Sequence, residues 1–174
     1  GLVSLAIEDI ICGGACPEGS QGLNVARIGA VLAGLPTSVW CITVNRFCAS
    51  GLSAVQMAAD RIRVGEAEVM IAAGVESMSM VPMMGNSPSL SPSIFEREGD
   101  VGIAYGMGLT AEKVAQQWKV SRDAQDAFAL ASHQKALKAQ QAGEFTDEIT
   151  PIEVTDRSAD LDSGEPIVST RTVS

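Results

Sequence analysis

Histidine occurs once in these 174 residues, aromatic side chains make up 4% of them, and 12 Lys and Arg stand against 21 Asp and Glu. With His133 the only imidazole, a four-ligand zinc site has little to draw on beyond four cysteines, and no metal is expected. The net charge of −9 excludes wrapping around nucleic acid, whose phosphates demand clustered cations. No apolar run approaches the roughly 20 residues that cross a bilayer. The opening, from Gly1 to Asp9, has no basic stretch leading into an apolar core and a cleavage site, so the chain reads as soluble. Cys12, Cys16, Cys41 and Cys48 are too few to staple a small secreted domain and lie mostly among apolar neighbours. They read as reduced thiols of a cytoplasmic protein. The first residue is not Met, so the chain also reads as part of a longer one.

What is present is apolar and small: 46% of residues are hydrophobic, with 17 Gly and abundant Ala, a composition suited to helices packed closely on a sheet. Leu5 to Cys12 reads as a short strand entering a loop at Gly13-Gly14. Asn24 to Leu32 carries Val25, Ile28, Ala30 and Leu32 on a helix closed by Gly34 and Pro36. Val39-Trp-Cys-Ile-Thr-Val-Asn45 is rich in β-branched residues and predicts a strand. Ser50 to Val64 places Leu52, Val55, Ala58, Ala59 and Ile62 at helical spacing, stopped by Gly65. Glu68-Val-Met-Ile-Ala-Ala73 reads as a strand covered on both faces, completing a right-handed βαβ unit.

After Gly74 the chain is punctuated by Pro, Gly and Ser, which places a boundary near Met78: residues 1–78 form one domain and 79–174 another. Helices are expected over Thr110–Trp118 and Ser121–Ala142, the second with Ser121 as N-cap, Gly143 after its end, and Phe128, Ala131 and Leu137 in a buried stripe. Beyond Phe145, short β-prone pieces such as Ile149-Thr-Pro-Ile and Pro166-Ile-Val alternate with acidic turns.

The segment that carries chemistry is Asn45-Arg-Phe-Cys-Ala-Ser-Gly-Leu-Ser-Ala54. It puts Cys48 at the step from strand to helix, where free backbone N–H groups and the helix dipole favour an anion. Ala49, Ser50 and Gly51 leave room for a ligand to approach. Cys48 therefore reads either as a nucleophile or as a small buried hydrophobe at a helix start, the reading that also suits Cys41. A nucleophilic Cys ordinarily needs a base. His133, within a predicted helix on a polar stretch, reads as a surface or boundary residue.

The run Asn45 to Pro82, with Ala72-Ala-Gly-Val-Glu-Ser-Met-Ser79, resembles the nucleophile region of thiolases. Tyr105-Gly-Met-Gly-Leu-Thr-Ala-Glu112, Ser121-Arg-Asp-Ala-Gln-Asp126 and Phe145-Thr-Asp-Glu-Ile149 are similar to the start of that family's inserted loop domain. Gln21-Gly-Leu-Asn-Val-Ala-Arg27 fits as well. The resemblance implies an α/β fold of the layered αβαβα kind, of which this chain is the N-terminal portion with part of the loop domain. The family's first strand, its second half, its catalytic His and its second catalytic Cys have no counterpart in these residues. Phe47 stands where many members have Gln, and the link from Asn86 to Asp100 is short.

By resemblance Cys48 is the catalytic nucleophile, and Gly106 and Met107 match positions that line the pantetheine tunnel. From the residues alone, Met107 reads as core filler and Gly106 as a turn residue. The implied activity is thiolytic cleavage of a 3-ketoacyl-CoA in fatty acid β-oxidation, with coenzyme A as substrate and no permanently bound cofactor. A homodimer and a β-oxidation partner enzyme are implied for the full-length protein. The alternatives are a biosynthetic acetoacetyl-CoA thiolase, or a fragment that serves only as an assembly module.

Overall fold

The structure, a computed structural model, describes residues 4–97 and 99–174. The chain forms two compact units, one running to Ser93 and the other starting at Ile94.

The first unit is a three-stranded parallel sheet in the order β2-β1-β3, with β1 at Asp9–Gly13, β2 at Trp40–Val44 and β3 at Met70–Gly74. Ile11 stands opposite Ile42 on one side and Ala72 on the other. Because successive side chains of a strand point to opposite faces, Ile10 and Cys12 serve one face and Ile11 the other. Helix α1 (Val25–Leu32) covers the first face through Ala26 and Ala30. Helix α2 (Ser50–Arg63) covers the second through Ala54 and Ala58. A fully buried side chain of the size of Ile11 contributes roughly 1.5–3 kcal/mol.

Two sequence expectations are corrected here. The strand covered on both faces is β1, every residue of which is buried, whereas β3 is an edge strand and only half-buried. The pieces read as one βαβ unit do form one: β2 and β3 run parallel in the same sheet, joined by α2, with β1 between them. The face of α2 that meets the sheet is made of Ser50, Ser53, Ala54 and Ala58, while Leu52, Val55 and Ile62 are exposed. The reason is the closeness of approach: a Cβ on Gly13 would stand 2.5 Å from the carbonyl carbon of Ser50, so only small residues fit beneath the helix.

Local signals placed the helix ends well. Asn24 accepts from the Arg27 N–H at 3.2 Å and also holds β2, donating to the Cys41 carbonyl at 2.9 Å and accepting from the Thr43 hydroxyl at 3.0 Å. Gly34 and Gly65 adopt positive φ after α1 and α2. Beyond Met78 the chain folds back on the first unit. Val81 is buried, and the Glu18 carboxylate accepts from the Asn86 N–H at 2.7 Å.

A single helical turn, α3 (Ser93–Glu96), spans the division between the units. The second unit contains α4 (Met107–Trp118), α5 (Arg122–Gln141) and an antiparallel hairpin of β4 (Ile152–Ala159) and β5 (Pro166–Val173). Ser121 caps α5 by accepting from the Ala124 N–H at 3.2 Å. Helix α4 starts three residues before the expected Thr110, and the hairpin strands run longer than the β-prone pieces suggested. The stripe assigned to the interior is not buried: Phe128 and Leu137 are exposed and Ala131 only half-buried, because none of the described residues encloses it. Among the described residues no helix is long and apolar enough to cross a membrane.

Candidate functional site

The three strands of the first unit run in one direction, so their carboxyl ends lie together on one edge, where ligands of open α/β sheets commonly bind. The loops leaving that edge are joined to one another. Gly14 N–H donates to the Val44 carbonyl at 3.0 Å, and Val75 N–H donates to Gly13 at 2.9 Å. The Asn45 amide donates to the Ala15 carbonyl at 2.9 Å. The Glu76 carboxylate accepts from the N–H groups of Ala15 at 2.6 Å and Cys16 at 3.3 Å, and from the Gln21 amide at 2.6 Å. Gln21, itself buried, donates to the Cys16 carbonyl at 2.6 Å and accepts from the Ser77 N–H. One carboxylate and two amides thus hold the rim in place.

On this rim the chain turns from β2 into α2. Phe47 sits at φ +47°, the left-handed region that costs a residue with a side chain on the order of 1–3 kcal/mol. The turn is held by a ring of short bonds. Phe47 N–H donates to the Asn45 side-chain oxygen at 2.8 Å, Arg46 N–H to the Ser50 hydroxyl at 2.8 Å, and that hydroxyl to the Phe47 carbonyl at 2.6 Å. Cys48 follows directly and is exposed, which overturns the reading of it as a small buried hydrophobe. Ala49 is the N-cap and offers no side-chain bond. In the first turn, the N–H groups of Gly51 and Leu52 find no acceptor among the described residues. An accessible thiol beside unoccupied helix-start donors is an arrangement that can carry a negative sulfur and stabilise an oxyanion.

The remaining thiols differ. Cys12 is buried in the sheet, and burial pushes its thiol up from the ordinary range. Cys41 packs against the α1 face and Cys16 lies on the rim, both half-buried. All four cysteines are free. No three His, Cys, Asp or Glu side chains group as metal ligands among the described residues. An apolar hollow of about 370 Å³ lies on the α1 face between Ile10, Ala26, Ala30 and Ile71. No residue of the Cys48 turn lines it.

The family described as "Thiolase, N-terminal domain" matches residues 2–172. The chain belongs to the thiolase family. It is 50% identical over 149 residues to a protein of Bacillus subtilis (strain 168) named "3-ketoacyl-CoA thiolase", covering 86% of this chain and 38% of that protein. It is 41% identical over 181 aligned positions to a "Probable acetyl-CoA acyltransferase" of Staphylococcus aureus (strain COL), covering 98% and 44% respectively. The chain therefore spans about two fifths of the length of these relatives. Its mixed α/β architecture, with a parallel sheet and helices on both faces, is that of a thiolase N-terminal domain.

The other residues singled out in this thiolase chain lie in the second unit. Gly106 is the N-cap of α4, and its carbonyl accepts from the Thr110 N–H at 3.1 Å. Met107 opens that helix with its side chain exposed, so it is not core filler. His133 is exposed on α5. Gln21, Asn45, Ser50 and Glu76 lie within the motifs, but nothing along the sequence marks their structural role. Only the loops brought together at the strand ends reveal what they do, since each bonds to a segment remote from it or to an adjoining turn.

Proposed function

We propose that the protein carrying this chain is an acyl-CoA acyltransferase that cleaves 3-ketoacyl-CoA by thiolysis, with Cys48 as the nucleophile. The observation that carries this reading is the exposed Cys48 at the start of α2, on the carboxyl edge of a parallel sheet, in a chain of the thiolase family. The Cys48 sulfur adds to the 3-keto carbon, and the bond between carbons 2 and 3 breaks. The electron pair leaves as the enolate of acetyl-CoA, which takes up a proton. Cys48 then holds the shortened acyl group as a thioester. The thiol of coenzyme A, giving its proton to a base, attacks this thioester and departs as acyl-CoA, returning Cys48. Helix-start N–H groups beside Cys48 are suited to the oxyanion of each addition.

The substrate class is supported by the Bacillus subtilis relative, named 3-ketoacyl-CoA thiolase; the degradative direction and a place in fatty acid β-oxidation are assigned on the resemblance of the motifs alone. Gly106 and Met107 are assigned to coenzyme A binding on the resemblance of their motif. The proton transfers are assigned to groups outside these 174 residues, also on that resemblance. A dimer in the cytoplasm belongs to the same reading.

Incubation of the full-length protein with acetoacetyl-CoA, followed by intact mass and peptide mapping, tests it. An acetyl group on the Cys48 peptide that disappears on addition of coenzyme A is the expected result. Turnover with no acyl group on Cys48, or with one on another residue, overturns the assignment.

A further inference from the structure

The turn before Cys48 has an unfavourable backbone and an uncapped helix behind it, so something must hold the sulfur where it stands. Phe47 lies at φ +47°, and Ala49 gives α2 no side-chain cap. The buried hydroxyl of Ser50, whose residue is 3% exposed, bridges the turn. It accepts from the Arg46 N–H at 2.8 Å and donates to the Phe47 carbonyl at 2.6 Å, using both its donor and an acceptor site on the two residues preceding Cys48. The Ser50 backbone lies close against the end of β1, where a Cβ on Gly13 would stand 2.5 Å from its carbonyl carbon.

We propose that Ser50 is a positioning residue for Cys48: its hydroxyl pins the Arg46-Phe47 turn in the left-handed form that presents the Cys48 sulfur at the rim. The role rests on the reading of Cys48 as nucleophile. Ser50 does not touch the reacting atoms; it acts through the turn. Without the hydroxyl the Arg46 N–H loses its acceptor and the Phe47 carbonyl one of its donors. The carbonyl keeps the Ser50 N–H at 3.0 Å, so the helix start persists while the turn loosens. The loss is therefore expected in the rate of acylation rather than in coenzyme A affinity.

The test uses the full-length protein and its Ser50→Ala, Ser50→Thr and Ser53→Ala variants. Rapid quench with acetoacetyl-CoA reads the rate of acyl transfer to Cys48, and steady-state kinetics read KM for coenzyme A. S50A is expected to slow acylation on the order of tenfold or more, as a small misplacement of a reacting group does. KM is expected to stay within about twofold. S50T, which keeps the hydroxyl but adds a methyl group at a buried position, recovers part of the rate lost in S50A, and S53A, another buried serine in the same helix, does not slow it. Acylation by S50A at the wild-type rate overturns the proposal, as does an equal slowing in S50A and S53A. Hydrogen exchange on the wild-type protein gives a readout independent of any variant: the Arg46 amide should be protected. Exchange there as fast as at an unbonded loop amide also overturns it. Absence of an acyl group on wild-type Cys48 overturns the nucleophile assignment, while a labelled Cys48 that ignores Ser50 overturns only the positioning role.

Discussion

Gly13 and Ser50 meet with no space between them: a Cβ on Gly13 would stand 2.5 Å from the Ser50 carbonyl carbon and 2.6 Å from its oxygen. The end of the central strand is thereby the floor on which the first turn of α2 rests. Because the atoms it would meet belong to the backbone of Ser50 and Gly51, no side-chain rotation can relieve an added methyl group.

Gly13→Ala should displace the start of α2 and with it Cys48. Overpacking of this kind costs about 1–3 kcal/mol, so the thermal midpoint should fall and acylation of Cys48 should slow. Denaturant melts together with peptide-resolved labelling of Cys48 check both. A fully active, fully stable G13A protein would contradict the packing described.

Arg61 reaches the Asp9 carboxylate, which is buried at the start of the central strand, and also Glu66 at 3.1 Å. Among the described residues Arg63 pairs only with the exposed Asp60. Removing Arg61 leaves the Asp9 carboxylate without its counter-charge in the sheet, and a buried acceptor left unmatched costs about 1–3 kcal/mol. Arg61→Ala should therefore lower the unfolding midpoint clearly, and Arg63→Ala should leave it nearly unchanged. Equal effects of the two changes would count against a distinct role for the Asp9 pair.

Glu8 sits just before β1 and accepts from the N–H groups of Glu68 and Val69, which hold its carboxyl below the usual carboxylate range. Its folded value is lower than its unfolded one. Its contribution to stability is therefore complete above the ordinary glutamate range and is lost as pH falls through that range towards the folded value. Glu8→Gln should flatten this part of the acid limb in a plot of stability against pH. An unaltered acid limb would remove Glu8 from the account.

Iodoacetamide should modify Cys48 well before Cys12 in the folded protein. Cys48 is exposed, while Cys12 is buried and its thiol is pushed up by burial, which keeps it protonated to higher pH. Time-resolved peptide mapping gives the order. Equal labelling in the native state would contradict the burial of Cys12. After unfolding, the difference between the two should vanish.

Much of the local structure was legible in the sequence because it is governed by neighbours along the chain. Asn24 and Ser121 cap their helices through bonds spanning three residues, and Gly34, Gly65 and Gly143 supply positive φ at helix ends. The step from strand to helix at Cys48 followed from the same signals, as did the family, whose motifs lie in contiguous runs.

What only the tertiary structure decided depends on segments distant along the chain. Helical spacing marked Leu52, Val55 and Ile62 as an inner stripe, yet the sheet takes the small face of α2, because Gly13 brings the backbones too close for larger side chains. Period alone does not say which side of a helix another element will approach. Nor did it say that β1 would slot between β2 and β3, since strand order is set by pairing across long separations. The support of Cys48 has the same origin. Asn45 reaches Ala15, and Glu76 reaches Ala15, Cys16 and Gln21, so the rim exists only once three parallel strands have brought their ends together. The sequence by itself determined a cysteine at a helix start; the sheet decided that this cysteine faces outward on a rim held from three sides.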